Sequence, residues 1–119
     1  MVEAAIGPKA RAIVLPHTLG NPFDVEEVAI LKTNRNLYLP EDTCDALGSL
    51  YNGNPVGGFG DVGSISFYPA HHIAMGEGGA VVTKSLELSK IAASFHDWGR
   101  GCWCLPGVSN ACVSVLTGI

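Results

Sequence analysis

The stretch DVEEVAILKTNRNLYLPED, Asp24 to Asp42, reads as one helix running into one buried strand, and it decides the fold. Asp24 is a favoured helix N-cap, and Glu27 follows it at the capping-box spacing. Val25, Val28, Ala29 and Leu31 then form an apolar face that ends at Asn34. Leu37 to Leu39 is a short apolar run with Pro40, Glu41 and Asp42 at its carboxyl end. Upstream, Ala12 to Leu15 is a second apolar run, halted by Pro16 and followed by the loop-like His17 to Asn21. Strand, helix and strand in that order predict a βαβ unit, and so an α/β fold with a mostly parallel sheet flanked by helices. Open sheets of this kind bind ligands beyond the carboxyl ends of their strands, which places the expected site at Pro40 to Asp42.

Downstream, glycine and proline gather between Asn52 and Gly63 and again from Gly99 to Gly107, marking two loop-rich zones. Ser64 to Tyr68 alternates small polar with apolar residues, which puts Ile65 and Phe67 on one face of a strand. Ala80 to Thr83 gives another short strand, and the segment His71 to Gly79 connects the two. Ser85 is an N-cap for a helix in which Leu88, Ile91, Ala92 and Phe95 recur at helical spacing. Beyond Trp98 the pattern breaks into an irregular, ligand-like loop, and the apolar tail from Val113 to Ile119 carries no stop signal.

The chain has 119 residues, 47% of them hydrophobic, with 7 basic and 11 acidic side chains and a net charge of -4, which suits one globular domain. No basic stripe is present to meet a phosphate backbone, so no nucleic acid partner is expected. No apolar run approaches the roughly 20 residues of a membrane span, and Val2 and Glu3 do not begin a signal peptide. The expected setting is cytoplasmic, away from membranes.

Several residues could carry chemistry. Asp42, just past a buried strand, could hold a proton on a heterocyclic nitrogen such as that of a vitamin B6 cofactor, or simply cap a helix. Ser66 could donate its hydroxyl to a phosphate or serve only in packing. His71 and His72 sit in a loop after a strand, where a neutral imidazole can act as a general base and where most histidines are merely solvated. Cys44, Cys102, Cys104 and Cys112 are separated by 57, 1 and 7 residues. Four such thiolates suit zinc or an iron–sulfur cluster, and the spacing alone does not choose between them.

EDTCDALGS, from Glu41 to Ser49, and SFYPAHHIAMGEGGAVVT, from Ser66 to Thr83, resemble the DegT/DnrJ/EryC1/StrS sugar aminotransferase family of fold type I. That family usually has a lysine at the position of His71, bonded to pyridoxal phosphate. Histidine there, DWGRGCWCLPG from Asp97 to Gly107 and the cysteine spacing are together similar to one subgroup. Its members are CDP-4-keto-6-deoxyglucose 3-dehydrases of 3,6-dideoxyhexose and lipopolysaccharide biosynthesis. The resemblance runs from about Ala12 to Cys112 and is lost beyond it. It implies that residues 1–119 are the central part of a large, cofactor-binding domain whose N-terminal portion, like the C-terminal small domain, lies outside them.

Residue by residue, the resemblance implies that Asp42 pairs with the pyridinium nitrogen and that Ser66 binds the cofactor phosphate. Asp45 would lie near the ring, where most family members have Gln or His, and His71 would be the base. Cys44, Cys102, Cys104 and Cys112 would hold a [2Fe-2S] cluster. Because histidine cannot form the imine that lysine forms, the expected cofactor is noncovalently held pyridoxamine phosphate. The implied reaction removes the C3 hydroxyl of a CDP-linked 4-keto-6-deoxyhexose, with electrons supplied by an NAD(P)H-dependent flavin iron–sulfur reductase to a homodimeric enzyme. The chain alone is expected to be inactive. Competing readings are a cluster-free GDP-4-keto-6-deoxyhexose 3-dehydratase, a pyridoxal phosphate aminotransferase and a noncatalytic metal-binding module.

Overall fold

A parallel strand pair needs a crossover that carries the chain back to the same end of the sheet, and the capped helix supplies it. In the computed structural model, which describes residues 1–99, the chain divides into two units, one spanning Met1–Lys84 and the other beginning at Ser85. The first contains α1 (Val2–Ala5), β1 (Leu15–Pro16), a 3-10 turn (Thr18–Gly20), α2 (Val25–Arg35), β2 (Pro40–Asp42), β3 (Leu50–Tyr51), β4 (Asn54–Pro55), β5 (Val62–Ser66) and β6 (Gly79–Val82). The second contributes α3 (Leu86–His96). The main sheet has the order β1-β2-β5-β6, with the first three strands parallel and β6 antiparallel to β5. A separate hairpin pairs β3 with β4. The fold is therefore α/β with a mostly parallel sheet, as the order of elements implied.

The Asp24 carboxylate accepts the Glu27 N–H at 3.0 Å and starts α2 where the capping-box spacing placed it. The end comes later than Asn34. Asn36 takes the left-handed conformation (φ 51°), and its N–H reaches the carbonyls of Lys32 and Thr33. In the second unit, Ser85 Oγ likewise accepts the Leu88 N–H, at 3.2 Å, and caps α3 as expected.

The bounds of the first two strands lie further along than the apolar runs. Tyr38 donates to the Arg11 carbonyl at 2.9 Å, Ile13 to Tyr38 at 2.8 Å and His17 to Asp42 at 2.9 Å. On this side of the ladder β1 uses its odd-numbered residues, so the missing N–H of Pro16 faces away from β2 and costs nothing. Pro40, by contrast, would point its N–H at β1. Having none, it interrupts the ladder between the Ala12–Tyr38 bridge and the paired ends Leu15–Glu41 and Pro16–Asp42. The residues expected at the carboxyl end of the second strand are thus its own last paired residues. The later strands shift the other way: β5 spans Val62–Ser66 rather than Ser64 to Tyr68, and β6 spans Gly79–Val82 rather than Ala80 to Thr83.

Ile13, Val28, Leu37 and Leu39 form the buried core, with Val2, Ile6, Leu15 and Phe23 packed around it. Leu37, Leu39 and Glu41 alternate onto this core face, and Tyr38, exposed, lies on the other. Among the described residues no helix is long and apolar enough to cross a membrane. The loop after Gly99, the apolar tail and three cysteines, Cys102, Cys104 and Cys112, lie outside the described residues.

Candidate active site

Because side chains alternate along a strand, the adjacent acids that end β2 serve opposite faces. Glu41, on the core face, is only 1% exposed. Its carboxylate meets His17 Nε2 at 3.0 Å, the Gly57 N–H at 2.8 Å and the Phe59 N–H at 2.8 Å, and it also accepts the Gly60 N–H. All four acceptor positions are used, so the cost of burying the charge is met by directed donors. His17, fully buried, stacks on Phe23 with ring centroids 4.4 Å apart, and its Nδ1 has no hydrogen-bond partner. Gly60 must lack a side chain, since a Cβ there would overlap the Leu39 carbonyl oxygen.

Asp42 faces the other way. Its Oδ1 accepts the Cys44 N–H at 3.0 Å and lies 3.5 Å from the Ser64 hydroxyl on the neighbouring strand, where Ser64 is its register partner. The Cys44 thiol and N–H are the main causes that hold the Asp42 carboxyl below its usual value, with smaller help from Ser64 and His71 against the opposing effect of burial. The group is therefore kept ionised and retains capacity to accept a proton-bearing ligand nitrogen. Cys44 Sγ lies 3.9 Å from Ser64 Oγ, and burial, followed by its bond to Asp42, pushes its thiol up.

Two residues along β5 from Ser64, Ser66 falls on the same face. Its Oγ accepts the Tyr68 N–H at 3.2 Å, which leaves the hydroxyl proton to donate outward. The chain then turns, with the His71 N–H on the Tyr68 carbonyl at 2.9 Å, and carries the His71 ring over Asp45: Nδ1 lies 3.1 Å from Asp45 Oδ1. The structure thus brings Asp42, Cys44, Asp45 and His71 to one end of the sheet, with Ser66 on the Asp42 face. Asp45, expected near a cofactor ring, lies against His71.

Sequence reasoning missed Ser64. The SIS alternation of Ser64 to Ser66 carried the signal, since both serines share a face. It also missed the His17–Glu41 pair, which no local pattern announces. Among the described residues no group of three or more His, Cys, Asp and Glu side chains could hold a metal ion. Of the four cysteines proposed as ligands, Cys44 alone is described, and it is a free thiol. A cavity of about 580 Å³ opens between Thr43, Leu47, Phe59, Ile65 and Val82. Its walls are mainly apolar, and Thr43 and Ile65 lie on the strand face opposite Asp42, Ser64 and Ser66, so it is separate from the acid–histidine cluster.

The family model for the DegT/DnrJ/EryC1/StrS aminotransferase family matches residues 1–103. The lipopolysaccharide biosynthesis protein RfbH of Salmonella typhimurium is 59% identical over 94% of this chain and 26% of its own length. A dTDP-4-dehydro-2,6-dideoxy-D-glucose 3-dehydratase of Saccharopolyspora spinosa is 56% identical over 93% of this chain and 24% of its own length. The structure of an Escherichia coli GDP-4-keto-6-deoxy-D-mannose 3-dehydratase with bound hydrated pyridoxal phosphate superimposes with a TM-score of 0.69 at 34% identity. It covers 76% of this chain and 23% of that one. The chain spans about a quarter of the length of the curated relatives it matches.

Proposed function

The chain belongs to the DegT/DnrJ/EryC1/StrS aminotransferase family, and from that premise we propose that it forms the central part of the cofactor-binding domain of a pyridoxamine phosphate-dependent nucleotide-sugar 3-dehydratase. The observation that carries this reading is a histidine, not a lysine, at the turn after β5, bonded at 3.1 Å to a carboxylate beside Asp42. A histidine can move a proton there but cannot anchor the cofactor covalently, which favours dehydration over transamination. Two of the matched relatives are themselves sugar 3-dehydratases, one named for a dTDP-linked and the other for a GDP-linked sugar. The substrate proposed for this chain is a CDP-linked 4-keto-6-deoxyhexose on the route to 3,6-dideoxyhexoses.

The described residues fit the cofactor. Asp42, held ionised by the donors around it, would keep a proton on the ring nitrogen, and the outward hydroxyl of Ser66 would bind the phosphate. When bound, pyridoxamine phosphate supplies an amine for the 4-keto carbon and a ring that accepts electrons as the C3 hydroxyl departs. In this reading His71 would remove the proton at C4′ of the cofactor and return a proton to the leaving oxygen.

A [2Fe-2S] cluster on Cys44, Cys102, Cys104 and Cys112, fed by a flavin reductase, would supply single electrons for the reductive half of the route. As a ligand, Cys44 would have to give up a thiol proton that burial and Asp42 favour keeping. Support for the cluster is the cysteine spacing. Visible absorption after anaerobic reconstitution with iron and sulfide tests it, and a colourless zinc-loaded protein would sink it.

The experiment that tests the dehydratase reading is His71→Asn in the complete enzyme containing this chain. Pyridoxamine phosphate binding is expected to persist while exchange of the C4′ protons with solvent stops. Exchange at the parent rate would overturn the assignment of His71 as the base.

A further inference from the structure

We propose that Asp45 is a positioning residue that selects the tautomer of His71, holding the ring proton on Nδ1 and leaving Nε2 as the basic atom. The inference rests on His71 being the base and specifies how it is prepared. An imidazole has two nitrogens, and a neutral one carries a single N–H, so the nitrogen that must accept a proton is available only if the other is the donor. An ionised carboxylate is acceptor-only. At 3.1 Å from Nδ1, Asp45 Oδ1 therefore requires the proton to be on Nδ1.

The surroundings suit that role. The His71 side chain is 21% exposed, enough for Nε2 to meet a ligand, whereas that of Asp45 is 50% exposed and stays hydrated. The His71 backbone is tied to Tyr68, which fixes where the ring starts, and Asp45 fixes how it is turned. His72, the next residue, is exposed and has no such partner among the described residues. When Nε2 takes up a proton, the ring becomes an imidazolium whose charge faces the Asp45 carboxylate.

Both residues lie within the Met1–Lys84 unit, and the tautomer is read in the complete enzyme. Selective ¹⁵N-histidine labelling with two-bond nitrogen–proton correlation, at about pH 8.5 where an ordinary imidazole is neutral, reports which nitrogen bears the proton. His71→Asn identifies the signals. The expected result is an Nδ1–H tautomer in the parent, conversion mainly to the Nε2–H form in Asp45→Ala, and recovery of Nδ1–H in Asp45→Glu. In the complete enzyme, Asp45→Ala is expected to keep pyridoxamine phosphate binding while C4′ proton exchange slows by about 10²-fold, with Asp45→Glu restoring most of it. An Nε2–H parent, a tautomer indifferent to Asp45→Ala, or exchange undiminished in that variant would each overturn the proposal. Failure of the base assignment itself reads differently: exchange then survives His71→Asn while the tautomer still responds to Asp45.

Discussion

Asp61 joins three segments of the first unit through one side chain. Both its oxygens accept from Lys32 Nζ at 2.7 Å, and Oδ2 also accepts the Leu39 N–H at 2.7 Å. Burial alone would raise its carboxyl, but the Lys32 ammonium and the Leu39 N–H outweigh that and hold it below its usual value. A carboxyl whose folded value is depressed adds stability that is fully present above its unfolded value of about 3.9 and is lost as the pH falls through the folded value. Lys32→Met should therefore flatten the decline of stability below about pH 4, read from urea unfolding at stepped pH. An unchanged slope would place the acid sensitivity elsewhere. A second side chain, Glu41, offers a larger effect. Glu41→Gln puts an amide donor among N–H groups that need acceptors, and we expect a loss of about 3–5 kcal/mol in the same assay.

At the scale of elements, the β3–β4 hairpin turns on Asn52 and Gly53, both at positive φ (48° and 78°), as a two-residue turn between twisted strands demands. Gly53→Ala is expected to cost about 1 kcal/mol in unfolding free energy, although the added methyl meets nothing within 4 Å, because the cost is conformational. Asp24→Ala should cost a similar ~1 kcal/mol through loss of the α2 cap. The two long helices were legible because their caps are local: Asp24 and Ser85 each reach an N–H three residues on. The hairpin was legible in principle from Asn52–Gly53, yet its strands are two residues long and show no alternation to mark them. Strand ends were misplaced because apolar runs report burial, whereas pairing is decided by the partner and by where Pro40 breaks the ladder. Within the candidate site, family likeness named Asp42, Ser66 and His71. The Ser64–Asp42 and Asp45–His71 contacts span 22 and 26 residues, and no periodicity encodes them.

For the whole molecule, the chain carries one strand end with its acid, serine and histidine and spans about a quarter of its relatives. Purified alone, with pyridoxamine phosphate and a flavin reductase added, it is expected to show no turnover of a CDP-4-keto-6-deoxyhexose, and measured turnover would show the remainder to be dispensable. The Glu41 carboxylate has a further effect on motion. Gly57, Phe59 and Gly60 belong to an irregular connection, the kind of segment whose amides ordinarily trade their protons with solvent quickly. Here all three N–H groups end on one buried acid of β2, so opening any of them leaves an acceptor position of that acid unfilled. In deuterated water these loop amides should exchange at the slow pace of the sheet's interior and with a shared rate, a loop timed by a strand.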